Sequence, residues 1–217
     1  MGPCPPFRFF TERRLVLLTG IKARTLPELA KGLKQVPGAC VFYHTHHRFL
    51  SQHFQKPWVY NDFAIWVMEA LQMKELAEKL AAMDLREFTT LRDLRQCLLG
   101  HIGYFLKGDP ESLRSCPPGD EFHFCRSQSF VMATGVTAET PRDFFHKMAD
   151  VSVISIYFHF IEARLRLGHR TNDFSQWLSS CGEPGLAEEI AALDPYLLSL
   201  EELKSRILSM GERKGGC

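Results

Sequence analysis

The chain has 217 residues, a formal net charge of +1 and a hydrophobic fraction of 45%, with 26 basic and 25 acidic side chains. This balance is ordinary for a soluble globular protein and gives no sign of a nucleic-acid partner or of an anionic membrane surface. No apolar run reaches the ~18 residues of a membrane-spanning helix, and the N-terminus lacks the segments of a secretory signal. We therefore expect a cytoplasmic protein with no membrane partner.

The cysteine pattern predicts reduced thiols. Seven cysteines occur, and no two of them form a Cys-x-x-Cys pair. An odd number without paired spacing argues against a disulfide framework, and it argues equally against a zinc site made of thiolates.

The first half of the sequence recurs in the second, and such repeats decide how a fold is interpreted. Three motifs carry the recurrence, the first two at a spacing of about 115 residues. They are Phe-x-Phe at 7–9 and 122–124, Thr-Gly-x-x-Ala beginning at Thr19 and Thr134, and Asn-Asp-Phe-x-x-Trp beginning at Asn61 and Asn172.

Each half opens with an aromatic segment that favours a strand, at 7–19 and at 122–134. We expect these short strands to end at the glycine that follows. A helix then begins at a capping threonine, Thr25 or Thr140, with proline in its first turn.

The next segments, 39–50 and 152–165, are ambiguous between helix and strand. The second is dense in β-branched and aromatic residues, which favours a strand. It continues into good helix formers and stops at Gly168, which favours a helix, and we prefer the helix. Further helices begin at the capping asparagines and bury Trp66 and Trp177 on their apolar faces.

These elements predict a mainly α fold of two tandem, pseudo-symmetric multi-helix units, each with at most one short strand. The boundaries are repeat unit 1 at 7–106, a linker at 107–121 rich in glycine and proline, and repeat unit 2 at 122–210. We expect the two units to pack together as one globule.

Two of the nine histidines, His44 and His159, occupy matched positions. On helices, His44 would share a face with His47, and His159 with Glu162, because each pair is three residues apart. If the two pairs faced each other, three imidazoles and one carboxylate would suit a divalent transition metal such as Zn²⁺. No other cofactor is predicted.

The alternative interpretation makes the same histidines core residues. One ring nitrogen of His44 or His159 could bond the following aspartate, Asp62 or Asp173, or a backbone carbonyl. Such a bond would tie the long helix to the next helix start, and buried polar groups need partners of this kind.

Arg164 and Arg166 form a basic cluster in the second half. Such a cluster could bind a phosphate or a carboxylate, although a solvated helix face is the simpler interpretation. Together with Asp62 and Asp173, these arginines are the candidate ligand-binding residues.

Several motifs of enzymes are missing from the sequence. It contains no Gly-x-x-x-x-Gly-Lys-Ser/Thr, Gly-x-Gly-x-x-Gly, Gly-x-Ser-x-Gly or His-Glu-x-x-His. Signatures of nucleotide binding, of a nucleophile and of a zinc protease are therefore absent. This lowers the expectation of an enzyme, and no catalytic residue is assigned.

The order Thr-Gly-x-x-Ala, Tyr-His or Tyr-x-His, Asn-Asp-Phe-x-x-Trp and Leu-Ala-Glu resembles a bacterial and archaeal family of unknown function, and both halves show it. The resemblance implies a prokaryotic cytoplasmic protein, of a kind sometimes found near carbohydrate-active enzymes, and it supplies no catalytic residues. The first half departs from the second by carrying His46 and His47 where the second has Ile161 and Glu162.

We therefore expect a non-catalytic interaction or accessory protein whose partner is an unknown protein or small molecule. The first alternative is a metal-binding or metal-dependent protein that uses the four residues at 44, 47, 159 and 162. The second is an anion or sugar-phosphate binder at the arginine cluster.

Overall fold

A computed structural model describes residues 4–47, 61–108, 113–168 and 171–215. In the first half, strand β1 (Phe7–Ala23) precedes helices α1 (Leu26–Gln35) and α2 (Gly38–Phe42), a first π-turn (Tyr43–His47), α3 (Asp62–Glu69), α4 (Lys74–Ala81), a 3₁₀ turn (Leu85–Glu87) and α5 (Leu91–Gly108). In the second half, β2 (Phe122–Ala138) precedes α6 (Pro141–Met148), α7 (Val153–Ile156), a second π-turn (Tyr157–Glu162), α8 (Ala163–Leu167), α9 (Asp173–Ser180), α10 (Pro184–Ala191), a 3₁₀ turn (Pro195–Leu197) and α11 (Leu200–Gly215).

The fold is α+β, so the prediction of a mainly α protein made of tandem units is wrong. Strands β1 and β2 are each 17 residues long and are hydrogen-bonded neighbours in a two-stranded antiparallel sheet. They are far longer than the short strands that the sequence indicated.

The strands are long because the Thr-Gly motif does not end them. Gly20 adopts a positive φ of 79°, a conformation that other residues rarely reach. The hydroxyl of Thr19 accepts a hydrogen bond from the Ile21 N–H at 3.2 Å and donates one to the Phe124 carbonyl at 2.7 Å. Thr134 makes the matching pair of bonds in β2. A side-chain hydroxyl thus maintains the hydrogen bonding at a position where a break was expected.

The chain divides into two compact units, and neither corresponds to one predicted repeat. The continuous unit is Arg14–Gln128, and the discontinuous unit combines Met1–Arg13 with Ser129–Cys217. Both strands cross the division, so the beginning of β1 belongs with the second half of the sequence and the beginning of β2 with the first. The predicted boundaries, 7–106 and 122–210, place each strand entirely within one unit, whereas the observed division cuts both strands.

The predicted helix starts are confirmed. Each capping side chain accepts a hydrogen bond from the N–H three residues later, which satisfies a donor that the first turn leaves free. These pairs are Thr25 with Glu28, Asn61 with Ala64, Thr140 with Asp143, and Asn172 with Ser175.

The preference for helix in the ambiguous segments is also confirmed for residues 39–47 and 153–165, with Ser152 as the extended residue before the second helix. Residues 48–50 of the first segment lie outside the described residues. Both segments widen into a π-turn at the matched histidine. Such turns are uncommon and often mark functional positions.

Aromatic rings form much of the core of each unit. In the continuous unit, Phe63 and Phe122 stack with centroids 5.1 Å apart. In the discontinuous unit, Phe9 and Phe144 stack at 5.4 Å. The matched tryptophans are each 8% exposed, as the apolar helix faces predicted.

Helices α5 and α11 are the longest, and each presents one apolar face to its own unit. In α5 this face includes Leu94, Leu98 and Ile102, all fully buried. Tyr104 on the opposite face is exposed. Over the described ranges, no helix combines the length and the apolarity that crossing a membrane requires.

The prediction that the cysteines are reduced thiols is wrong for one pair. Cys4, just before β1, forms a disulfide with Cys181, just after α9, and their Cα atoms are 5.0 Å apart. The sequence could not show this pairing because the two residues are separated by 177 positions. The other described cysteines are free thiols.

Candidate functional site

His159 lies in the second π-turn and connects three parts of the discontinuous unit. Its Nδ1 is 2.7 Å from the Asp173 carboxylate at the start of α9, and its Nε2 accepts a hydrogen bond from the Phe10 N–H of β1 at 2.8 Å. Ser155 donates to the Phe10 carbonyl at 2.7 Å, so both backbone groups of that strand residue are held. The side chain of His159 is 3% exposed.

His44 makes the same connections in the continuous unit. Its Nδ1 is 2.8 Å from the Asp62 carboxylate at the start of α3, and its Nε2 accepts from the Cys125 N–H of β2 at 2.9 Å. Its side chain is 4% exposed. The expectation that each histidine bonds the following aspartate is therefore confirmed, while the bond to a strand N–H was not foreseen.

The direction of these bonds determines the tautomer of both histidines. A backbone N–H can only donate, so Nε2 must be the unprotonated nitrogen and Nδ1 must carry the proton. That proton is donated to the carboxylate of Asp62 or Asp173. Burial lowers the pKa of His159, and the hydrogen bond to Asp173 opposes this effect without cancelling it. His159 is accordingly neutral near pH 7.

A surface cavity of about 680 Å³ lies beside His159 in the discontinuous unit. The start of β1 contributes Arg8 and Phe10 to its wall, and α9 contributes Gln176 and Trp177. This volume is within the range of small-molecule sites, about 300–1,000 Å³.

Arg166 and Asp173 are the predicted ligand-binding residues that line this cavity, and they contact each other. The Nη2 of Arg166 donates to the Asp173 carboxylate at 2.5 Å, and its guanidinium lies 4.7 Å from the centre of the Phe158 ring. Its side chain is 41% exposed. Arg166, Asp173 and His159 therefore form one hydrogen-bonded chain along the cavity wall.

The other candidate residues are not brought to this cavity. Arg164 lies with its guanidinium 5.9 Å from the centre of the Phe160 ring, and Asp62 belongs to the continuous unit. His47 is half-buried in the continuous unit, and burial together with the nearby Arg14 guanidinium lowers its pKa to about 4.

The proposed metal ligands are divided between the units. His44 and His47 belong to the continuous unit, whereas His159 and Glu162 belong to the discontinuous one. Within the described parts of the chain, no group of three or more His, Cys, Asp or Glu side chains is arranged to hold a metal ion.

Arg8 and Gln176 were not among the residues predicted from the sequence. Arg8 did carry a signal, since it stands between Phe7 and Phe9, and alternation along a strand puts it on the face opposite their buried rings. Nothing in the sequence indicated that this strand would lie beside α9.

Comparisons with known proteins cover nearly the whole chain. The model of a family described as "Family of unknown function (DUF5752)" matches residues 4–212. The solved structure of OrfY from Thermoproteus tenax is similar, with a TM-score of 0.83 and 30% identity over 100% of this chain and 99% of that chain. No curated protein matches the chain. These similarities establish the fold and assign no activity.

Proposed function

We propose that this chain, which belongs to the family of unknown function DUF5752, is a non-catalytic interaction or accessory protein whose matched histidines have a structural role. One observation carries the proposal. Both ring nitrogens of His44 and of His159 are already used, one by a carboxylate and the other by a strand N–H.

A general base needs a nitrogen that reaches the proton to be removed. His159 lines the cavity, yet its Nε2 lone pair is occupied by the Phe10 N–H at 2.8 Å. Catalysis by this ring would first require the strand to move away. The Nε2 lone pair of His44 is occupied in the same way by the Cys125 N–H.

A structural role explains the arrangement more simply. Each imidazole joins the beginning of a strand to the start of a helix, inside a cluster of aromatic rings. Phe7 lies 5.0 Å from the His159 ring, and Phe122 lies 4.7 Å from the His44 ring. Loss of an imidazole would leave the strand N–H without its acceptor, remove one hydrogen-bond donor from the aspartate and open a cavity among the rings, at a cost of about 3 kcal/mol.

The test is the thermal stability of His44→Ala and His159→Ala. We expect each substitution to lower Tm by about 6–12 °C, from about 3 kcal/mol in a chain of this size. His123→Ala is the matched control, because His123 is exposed on β2 and its removal should leave Tm unchanged. If His44→Ala and His159→Ala unfold at the wild-type temperature, the structural role is wrong.

The metal-binding alternative stays a prediction that elemental analysis can decide. It requires stoichiometric metal in the purified protein, held by His44, His47, His159 and Glu162. Less than about half a metal ion per chain, removed by a chelator without loss of stability, would reject it.

The anion-binding alternative gains support from the position of Arg166. A guanidinium carries five N–H donors, and Asp173 occupies only one end of it. A thermal-shift screen with phosphorylated sugars tests this function, since a ligand that binds the folded chain raises its Tm. A flat response across the screen would count against it.

A further inference from the structure

We infer that the cavity of the discontinuous unit is a binding site for a small organic anion, a phosphate or carboxylate attached to a ring, with Arg8 and Arg166 as its charged contacts. This inference rests on the anion-binding function proposed above and assigns it a location, a ligand class and a stoichiometry.

The charge of the cavity wall favours an anion. Its charged residues are Arg8, Arg166 and Asp173, whereas His159 is neutral because it is buried and its Nε2 accepts the Phe10 N–H. Two arginines against one aspartate leave one positive charge in excess. Among the residues that the structure describes, no ion pair engages Arg8, which is exposed on β1.

Arg166 is oriented before any ligand arrives. The carboxylate of Asp173 holds one edge of the guanidinium, and the ring of Phe158 supports its flat face. The same oxygen of Asp173 also bonds His159, so the aspartate is itself held in place. Asp173 and His159 are therefore positioning residues, and a ligand would lose little free energy in ordering the arginine.

The remaining walls suit an organic group better than a free inorganic ion. Phe10, Phe158 and Val131 provide apolar surface, and Gln176 and Ser180 provide hydrogen-bonding groups. Small-molecule sites commonly combine a mainly apolar lining with a few polar groups that orient the ligand. A ligand with a hydroxylated ring would contact the apolar surface with its carbon atoms and the polar groups with its hydroxyls.

The two walls of the cavity are connected covalently. Cys4 lies two residues before Pro6 of one wall, and Cys181 directly follows Ser180 of the other. The Trp177 indole N–H also donates to the Pro5 carbonyl at 2.6 Å. The disulfide and this hydrogen bond hold the start of β1 against the end of α9, which keeps Arg8 at the cavity.

The sequence predicts a single site. The positions of the continuous unit that match Arg8, Gln176 and Ser180 carry His123, Ile65 and Glu69. These residues replace a fixed positive charge with a histidine, an amide with a hydrocarbon and a hydroxyl with a negative charge. We therefore expect one anion per chain.

The experiment is isothermal titration of the oxidised full-length chain with glucose 6-phosphate, phenyl phosphate, benzoate, glucose and inorganic phosphate. We expect at least one of the three organic anions to bind at one per chain, more tightly than glucose or inorganic phosphate. The organic phosphates and benzoate distinguish a phosphate ligand from a carboxylate ligand. Arg8→Gln and Arg166→Gln should each weaken this binding by about tenfold or more.

Arg142→Gln is the matched control, because Arg142 is exposed on α6 of the same unit and outside the cavity. Arg8→Gln keeps the test decisive if Arg166→Gln fails to fold, since Arg8 holds no described ion pair. Binding that survives Arg8→Gln unchanged would overturn the location while leaving the anion-binding function standing. Equal affinity for inorganic phosphate would overturn the ligand class. No binding of any organic anion by the wild type would overturn both the inference and the anion-binding function.

Discussion

A buried histidine in the continuous unit should make the protein sensitive to acid. His46 is 2% exposed, and its ring stacks on Phe42 with centroids 5.5 Å apart. Its Nδ1 lies 2.9 Å from the Thr45 hydroxyl. Burial, and secondarily the Arg14 guanidinium, lower the pKa of His46 to about 4.

The sign and size of the effect follow from this pKa. In the unfolded chain a histidine has a pKa of about 6.5, so as pH falls below that value the unfolded state takes up a proton before the folded state does. Because His46 must stay neutral when buried, the free energy of unfolding is at its full value above about pH 6.5. It decreases as the pH falls toward 4. A difference of about 2.5 pKa units, at about 1.4 kcal/mol each, gives a loss of about 3 kcal/mol.

The perturbation is His46→Ile, because the matched position in the second half is Ile161, which is also 2% exposed. The substitution removes the titrating group and keeps the site filled. We expect the free energy of unfolding of the variant to fall about 3 kcal/mol less than that of the wild type between pH 7 and pH 4.

The assay is urea unfolding followed by circular dichroism at pH 7, 6, 5 and 4, with His123→Gln as the control for an exposed histidine. The control should follow the wild-type pH dependence. If His46→Ile and the wild type lose stability in parallel across this range, the reasoning from burial to pKa is refuted.

Two further predictions concern packing and the disulfide. Gly32→Ala should destabilise the chain by about 1–3 kcal/mol in urea unfolding, because the added Cβ would overlap the buried ring of Phe124. The control is Gly100→Ala, which has open space around its Cβ and should be neutral or stabilising. A neutral Gly32→Ala would contradict this packing. Cys181→Ser should lower the free energy of unfolding by up to about 5 kcal/mol, from the chain entropy of the long loop that Cys4 closes, and it should abolish any effect of dithiothreitol. Wild-type stability that ignores the reductant would argue against the disulfide.

Local signals in the sequence predicted a good part of the structure. The helix starts at Asn61 and Asn172 follow from side chains that accept a nearby N–H, which is a short-range effect. The bond from His159 to Asp173 was expected for a similar reason, since a buried ring needs a partner and the next helix start offers one.

The errors arose where a distant part of the chain decides the outcome. Thr19 and Gly20 were predicted to end the strand. The strand continues because the Phe124 carbonyl on the other strand accepts a hydrogen bond from the Thr19 hydroxyl. The placement of Arg8 and Arg166 in one cavity depends on the start of β1 packing with the second half of the chain. No pattern within either half contains that information.

The proposed role of His44 and His159, as structural connections between a strand and a helix start, is the central point to test. The most direct measurement is a long-range ¹H–¹⁵N spectrum of the histidine rings at pH 7, assigned with His44→Gln and His159→Gln. We predict that both rings are neutral with the proton on Nδ1, because both Nε2 atoms accept from a strand N–H. A proton on Nε2, or rapid exchange between the two tautomers, would contradict this role.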